Sequence, residues 1–193
     1  MADGKAGEPR RPRADAARNR DRVLEAAKAV LGAGGPRASL EEVARRAGVG
    51  IGTLYRHFPN REALFEAVYR REVEQLVELA DQLSDCPDPV AALRRWLRAN
   101  VEFVATKKGM AAALAIAAGS RTALTTYTAD RLTGAVRQLL DRAIADGAVR
   151  DDIGPGDLLR MLVALCYGSD APGWQEDVLR LLDVFVDGLC RGR

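Results

Sequence analysis

The sequence of 193 residues is poor in aromatic side chains and contains one histidine, His57, and three cysteines. Cys86, Cys166 and Cys190 are far apart and odd in number. This pattern argues against a disulfide framework or a cysteine-rich metal site, and it fits a reducing cytosol. We therefore expect a cytoplasmic protein without disulfide bonds.

Long apolar runs are also missing. No stretch approaches the roughly 18 consecutive apolar residues of a membrane-spanning helix, and the polar N-terminus has no apolar signal-peptide segment. The sequence predicts no membrane partner.

The components of common active sites are not present either. We find no G-x-S-x-G, no phosphate-binding loop and no metal-ligand spacing, and a single histidine leaves little for acid–base chemistry. The sequence therefore predicts no cofactor and no metal, and indicates that the protein is not an enzyme. Measurable turnover that is lost on mutating a residue of the C-terminal half would contradict this.

Neither sign of charge dominates, because the formal net charge is +2, but the charges are unevenly placed. Residues 1–75 hold 15 Lys and Arg against 11 Asp and Glu, whereas residues 76–193 hold 14 against 16. A basic N-terminal part and an acidic C-terminal part suit DNA binding by the first and a different role for the second.

Two short helices joined by a tight turn are predicted within residues 39–61. Ser39 is expected to cap the first helix and Glu42 to complete a capping box, and Gly48 is expected to end the helix. A second helix from about Ile51 ends before Pro59. Such a pair is typical of a helix-turn-helix, whose second helix enters the DNA major groove.

At these residues the sequence resembles the TetR family of transcriptional regulators. The resemblance rests on Gly48-Val49, on Gly52-Thr-Leu-Tyr-Arg-His-Phe58 and on Asn60-Arg-Glu-Ala-Leu-Phe65, and it spans about residues 16–70. Ala105-Thr-Lys-Lys-Gly-Met110 and Gly147-Ala-Val-Arg-Asp-Asp-Ile153 are similar to a subgroup with an SbtR-like C-terminal domain.

The remaining pattern is helical, with no β-alternation, and predicts an all-α fold of about nine helices. We expect a disordered basic arm over residues 1–15, a three-helix helix-turn-helix domain over 16–62, and an antiparallel helical bundle over 63–193 for ligand binding and dimerisation. The first helix is expected over about 16–31, and the Lys107-Lys108-Gly109 stretch is expected to separate one helix from a short helix over 110–118. A further helix is expected to begin at Thr122.

Nine residues form the predicted DNA-binding set. Arg56 is the leading base reader, since an Arg contact to guanine is the commonest specific one, and Ile51 is a candidate to touch a thymine methyl group. The resemblance implies contacts to the DNA backbone for Thr53, Tyr55 and Arg61, and Gly52 permits close approach of the DNA. The set comprises Ser39, Gly50, Ile51, Gly52, Thr53, Tyr55, Arg56, His57 and Arg61.

Two sets of residues are predicted in the C-terminal half. Apolar and aromatic side chains that suit a small-molecule effector pocket are Trp96, Phe103, Met110, Leu114, Tyr127, Tyr167 and Trp174. The last two helices carry more apolar surface than one core face requires, and the resemblance implies homodimerisation through Leu158, Leu162, Leu165, Val178, Leu181, Leu182, Phe185 and Leu189. For both sets, ordinary burial within one chain is the alternative.

The functional expectation is a repressor that binds a pseudo-palindromic operator in double-stranded DNA as a homodimer and is released by a small-molecule effector. An activator of the same fold is one alternative. A helical protein-interaction module without specific DNA binding is another, because Gly50 and Ile51 leave few polar groups on the recognition helix.

Overall fold

The computed structural model describes residues 12–34, 39–113 and 118–190, and in these ranges the chain forms eight α-helices. Their bounds are α1 Pro12–Gly34, α2 Leu40–Ala47, α3 Ile51–His57, α4 Arg61–Leu83, α5 Pro89–Ala113, α6 Ala118–Ala145, α7 Pro155–Tyr167 and α8 Trp174–Leu189. The described ranges contain no strand beyond an isolated bridge between Val149 and Cys190. The all-α prediction is confirmed, with eight helices where about nine were expected.

Helix α5 is continuous where the sequence predicted a break. It runs through Lys107, Lys108 and Gly109 to Ala113. One glycine inside a helix costs only about 1 kcal/mol relative to alanine, and lysine is a good helix former. The prediction of a short separate helix over 110–118 was therefore wrong, because residues 110–113 extend α5. Helix α6 begins at Ala118, four residues before the predicted start at Thr122.

Helix α1 begins at Pro12, inside the stretch predicted to be disordered. Proline suits the first helical position because its missing N–H has no partner there, and Asp15 places an acid in the first turn, where the helix dipole favours it. The helix also continues to Gly34, beyond the predicted end at Leu31. Residues 1–11 of the predicted arm lie outside the described residues.

Buried apolar side chains form two clusters that meet on α4. The first cluster joins α1, α2 and α3 to the start of α4, down to Val68. The second begins at Tyr69 and joins the rest of α4 to α5, α6, α7 and α8. Helix α4 thus belongs to both cores, so the position of the N-terminal helices depends on its path. The predicted domain boundary at residue 62 stays a prediction.

Polar contacts fix the helices of the second cluster. The indole N–H of the fully buried Trp96 donates to the Leu76 carbonyl oxygen at 2.7 Å. On the surface of α5, Arg98 Nη1 donates to Asp183 Oδ2 of α8 at 2.7 Å. Hydrogen bonds from Arg98 and Arg94 hold the pKa of the Asp183 carboxyl below its usual range. These contacts hold α5 against α4 and α8.

Cys166 is a structural residue rather than a reactive one. Burial raises the pKa of its thiol to about 11, so the thiolate is scarce at neutral pH. No described helix is both long enough and apolar enough to cross a membrane.

Candidate nucleic-acid interface

Ser39 caps helix α2 as its sequence predicts, but the predicted capping box with Glu42 is not formed. Ser39 has extended backbone angles, and its Oγ accepts a hydrogen bond from the Glu42 N–H at 3.1 Å. The Glu42 carboxylate, expected to complete a capping box, accepts from Arg45 Nε at 2.8 Å. This hydrogen bond lowers the pKa of the Glu42 carboxyl. Ser39 therefore begins the helix, and its Oγ is already engaged by the backbone.

The turn between α2 and α3 depends on Gly48. Its φ of +64° lies in the left-handed region, where a side chain costs energy. The Gly48 N–H donates to the Arg45 carbonyl oxygen at 3.1 Å, and the Val49 N–H donates to that of Ala44 at 3.0 Å. These bonds close α2 and set the angle at which α3 leaves.

The faces of α3 divide into a buried and an exposed side. Leu54 is fully buried and Phe58 is nearly so, and both pack into the first cluster. Tyr55 and Ile51, by contrast, are 45% and 38% exposed. The second helix of the pair therefore leaves a tyrosine and an isoleucine in solvent, side by side with its polar groups.

Polar groups on the same helix are held in position by local contacts. Arg56 is exposed, and its Nη2 donates to Thr53 Oγ1 at 2.9 Å. His57 is partly buried, with its ring centre 6.2 Å from that of Phe58. The Arg56 guanidinium uses one of its five N–H donors in this bond, so donors remain for a base or a phosphate.

Two glycines open the start of α3 without being needed for packing. Gly50 is the N-cap residue with extended angles, and Gly52 lies in the first turn. A Cβ built at either position meets no protein atom within 4 Å. The protein's own packing therefore does not require glycine at these two positions, which leaves room for close approach of a partner to the backbone.

Arg61 carries a positive charge that no described acid neutralises. Its Nε and Nη2 are buried without a hydrogen-bond partner among the described residues, and its guanidinium carbon lies 5.7 Å from the centre of the Phe65 ring. Buried polar groups are normally paired, so such a group calls for an explanation. Arg61 is the first residue of α4, directly after the capping residue Asn60.

Helix α1 contributes two further guanidinium groups next to this surface. Arg20 lies over the Phe58 ring at 5.7 Å, and Arg22 Nη2 lies 3.5 Å from the Gly48 carbonyl oxygen. In the sequence, only their charge marks these two arginines. Their closeness to the turn and to the end of α3 depends on packing.

Ion pairs attach α1 to the middle of α4. Lys28 Nζ lies 2.6 Å from Glu72 Oε2, and Glu72 is buried. Arg71 donates from Nη1 to the Asp21 carbonyl oxygen at 3.1 Å, and its Nη2 lies 3.3 Å from Glu25 Oε2. The N-terminal helices are thus fixed to the helix that continues into the second cluster.

The residues predicted for an effector pocket are not gathered in one described cavity. Trp96 is core, and Phe103 packs against Tyr69 with ring centres 5.2 Å apart. Tyr127 donates its hydroxyl hydrogen to Glu74, while Tyr167 and Trp174 lie beside the Lys108 ammonium group. The Met110 side chain and all of Leu114 lie outside the described residues, so the pocket stays a prediction.

Two surface clefts in the described part are lined by other residues. One, of about 450 Å³, lies between α1 and α4 and includes Arg20, Leu24 and Arg70. The other, of about 400 Å³, lies along α4 and α5. Among the residues that the structure describes, no group of His, Cys, Asp and Glu could hold a metal ion.

The residues predicted for the dimer interface divide into three groups by exposure. Five are buried in the chain's own core: Leu158, Leu162, Val178, Leu182 and Leu189. Leu165 and Phe185 are partly buried, and Leu181 is 52% exposed. Val163, Tyr167 and Val184 are also exposed, and the predicted interface did not include them. Their spacing of three and four residues, offset from the buried stripes, is the signal that would have identified them.

Comparison with known proteins identifies both halves of the chain. Residues 23–68 match the family model for bacterial regulatory proteins of the tetR family, and residues 88–191 match that for the C-terminal domain of SbtR-like transcriptional regulators. The second match alone covers more than half of the sequence.

Solved structures agree over nearly the whole chain. The TetR transcriptional regulator SCO0520 from Streptomyces coelicolor is 38% identical, with a TM-score of 0.77, over 90% of this chain and 99% of that one. The TetR transcription regulatory protein from Mycobacterium vanbaalenii is 34% identical, with a TM-score of 0.76, over 93% and 99%.

Curated relatives match over a shorter stretch. The HTH-type transcriptional repressor KstR from Mycolicibacterium smegmatis is 39% identical over 64 residues, which cover 33% of this chain and 31% of that protein. The chain spans less than half of the length of the curated relatives that it matches. The family models and the solved structures nevertheless agree with each other, and the chain belongs to the TetR family of transcriptional regulators, with an SbtR-like C-terminal domain.

Proposed function

We propose that this protein is a cytoplasmic repressor that binds a pseudo-palindromic DNA operator as a homodimer. The observation that carries the proposal is the surface formed by α3 and the start of α4. It combines the exposed Tyr55 and Arg56, a glycine at position 52 that packing does not require, and the charge of Arg61, which no described acid neutralises. Contacts from such side chains to the DNA phosphate backbone position a protein on DNA, and an arginine that reads a base gives it specificity.

Dimerisation is argued from the exposed apolar face of α7 and α8. Val163 and Tyr167 on α7 and Leu181 and Val184 on α8 are each at least 49% exposed. Large exposed apolar side chains on two helices that pack together favour a protein contact. A two-fold axis through this face makes one surface serve both copies and presents two α3 helices to the operator.

Repression is the favoured role because KstR, which is similar to this chain over 64 residues, is described as a repressor. A small-molecule effector would release DNA by favouring a dimer whose two recognition helices no longer match the operator. The C-terminal half would hold this ligand.

The direct test is fluorescence anisotropy with labelled DNA from beside the protein's own gene and with random DNA, at two salt concentrations. Tight, sequence-preferring binding by a dimer supports the proposal. Equal binding to both DNAs would place the operator elsewhere. No binding to either DNA at low salt would overturn the proposal in favour of a protein-interaction module. A transcription assay from the promoter in that DNA, with and without the protein, then separates a repressor from an activator.

A further inference from the structure

The Lys108 ammonium group is surrounded by oxygen atoms from one short segment. Lys108 lies on α5, and its side chain is only 16% exposed. Its Nζ donates to the carbonyl oxygen atoms of Cys166 at 2.9 Å and Ser169 at 3.0 Å, and it lies 2.6 Å from Asp170 Oδ1. Since an ammonium group has three donors, these three oxygens satisfy it completely.

Two aromatic rings complete the surroundings. The Lys108 Nζ lies 4.3 Å from the centre of the Trp174 ring system and 5.3 Å from the centre of the Tyr167 ring. Both distances are within the range of about 6 Å in which a cation is attracted to an aromatic face, and tryptophan is the strongest such partner. Aromatic walls with oxygen acceptors are the chemistry by which proteins recognise organic ammonium ions.

These oxygen atoms and rings all come from residues 166–174, which are the end of α7, the connection to α8 and its first residue. The Cys166 carbonyl belongs to the last turn of α7, where unpaired carbonyl groups and the helix dipole favour a cation. Lys108 alone comes from elsewhere in the chain. The connection therefore surrounds the alkylammonium end of Lys108, which is tethered to α5.

We propose that this connection is a binding site for a primary organic ammonium ion, which competes with Lys108 for it. One side of the site is open, because Asp170 and Tyr167 are exposed. A lysine stem is flexible, so a displaced Lys108 can extend into solvent. Because the tether gives Lys108 a high effective concentration, a monovalent amine competes only at millimolar or higher concentration.

The site adjoins the surface proposed for dimerisation, since Tyr167 contributes to both. Exchange of Lys108 for a free amine would release α5 from the α7–α8 connection. The inference thus names a ligand class for the proposed effector. Only this consequence rests on the proposed function, because the binding itself is tested without DNA.

The experiment titrates the full-length protein with n-butylammonium, which matches the lysine stem, and with 1-butanol as the uncharged control. The signal is tryptophan fluorescence, and Trp174→Phe identifies the contribution of the site against that of the buried Trp96. Three further variants are compared with the wild type. Lys108→Ala empties the site, Lys108→Gln keeps a hydrogen-bond donor without charge, and Lys107→Ala removes the neighbouring ammonium, which lies over Tyr69 instead.

The expected result is a saturable response to n-butylammonium but not to 1-butanol, lost in Trp174→Phe. The half-saturating concentration of n-butylammonium should fall about tenfold or more in Lys108→Ala and Lys108→Gln, because both remove the competing ammonium group. It should stay unchanged in Lys107→Ala. Folding is checked by circular dichroism, and Lys108→Gln decides if Lys108→Ala does not fold. A response in the Lys108 variants with none in the wild type would make Lys108 a fixed structural tether and overturn competition. Equal responses to the amine and the alcohol, or no response in any folded variant, would overturn the site itself.

Discussion

Arg22 of α1 lies against Gly48, with a long hydrogen bond of 3.5 Å from its Nη2 to the Gly48 carbonyl oxygen. A Cβ at position 48 would overlap the same guanidinium nitrogen. The first helix thus contacts the turn at the residue whose backbone is left-handed. Gly48 serves both the turn geometry and the approach of Arg22.

Gly48→Ala should destabilise the protein by about 1–2 kcal/mol, because an L side chain is strained at this φ. The overlap with Arg22 adds little, since the end of an arginine side chain moves easily. The measurement is urea unfolding of Gly48→Ala with and without Arg22→Ala. If the double variant recovered the wild-type stability, the overlap rather than the backbone angle would be the cause.

Gly52→Ala should act in the opposite direction on stability. A Cβ there meets no protein atom, and alanine favours a helix over glycine by up to about 1 kcal/mol, so the free energy of unfolding should rise or stay unchanged. DNA binding should weaken by about tenfold or more, because the added methyl group would meet the approaching duplex. Unfolding and anisotropy are measured on the same preparation, and unchanged affinity would remove Gly52 from the interface.

The helix-turn-helix was predictable because its signals are local. Ser39, Gly48 and Pro59 act on residues within one or two turns. The continuity of α5 was not predictable in the same way, since Lys108 is held by Cys166 and Ser169, about 60 residues further along the chain. The sequence analysis placed an interruption at the lysine pair and Gly109, although lysine favours a helix and a single glycine costs little. Tertiary contacts hold Lys108 within the helix.

The site residues follow the same division. The exposed positions of α3 follow from its period and from the family resemblance. The closeness of Arg20 to Phe58 depends on how α1 packs across the pair. On α7 and α8, both the buried and the exposed residues are apolar, so composition did not show which face the chain covers itself.

Breaking the Lys28–Glu72 pair should reveal how α1 is fixed to α4. Lys28→Met would leave the buried Glu72 carboxylate without its partner, at a cost of about 1–3 kcal/mol, since the lysine end of the pair is partly solvated. Adding Glu72→Met removes the stranded charge and should restore most of the stability. Chemical denaturation of the two single variants and the double variant gives the coupling energy. An additive double variant would show that the pair contributes nothing.

The exposed face of α7 and α8 gives a test of the proposed dimer. Val184→Glu should raise the dimer dissociation constant by about tenfold or more, because the interface would bury an unpaired carboxylate. Gln82→Glu, which adds the same charge at an exposed position of α4, is the control. Analytical ultracentrifugation over a concentration series measures both. A Val184→Glu protein that dimerises like the wild type would place the interface on another surface.

Arg56 and Arg61 should separate base reading from backbone contact. Arg56→Ala should cost about 1–3 kcal/mol at one operator position and relax the preference there, because it removes a bidentate contact to a base. Arg61→Ala should weaken specific and random DNA alike and reduce the salt slope by about 1, because its charge, unpaired within the described part of the protein, would neutralise one phosphate.

Both changes remove one positive charge, so Arg95→Ala, at an exposed position of α5, controls for net charge. Anisotropy with single-base operator variants, repeated over a salt series, distinguishes the two roles. Uniform weakening by Arg56→Ala would make Arg56 a phosphate contact, since a base reader acts at one position of the operator and leaves random DNA almost unaffected. A salt slope that Arg61→Ala leaves unchanged would mean that no phosphate meets this guanidinium, and its buried nitrogens would then need another partner.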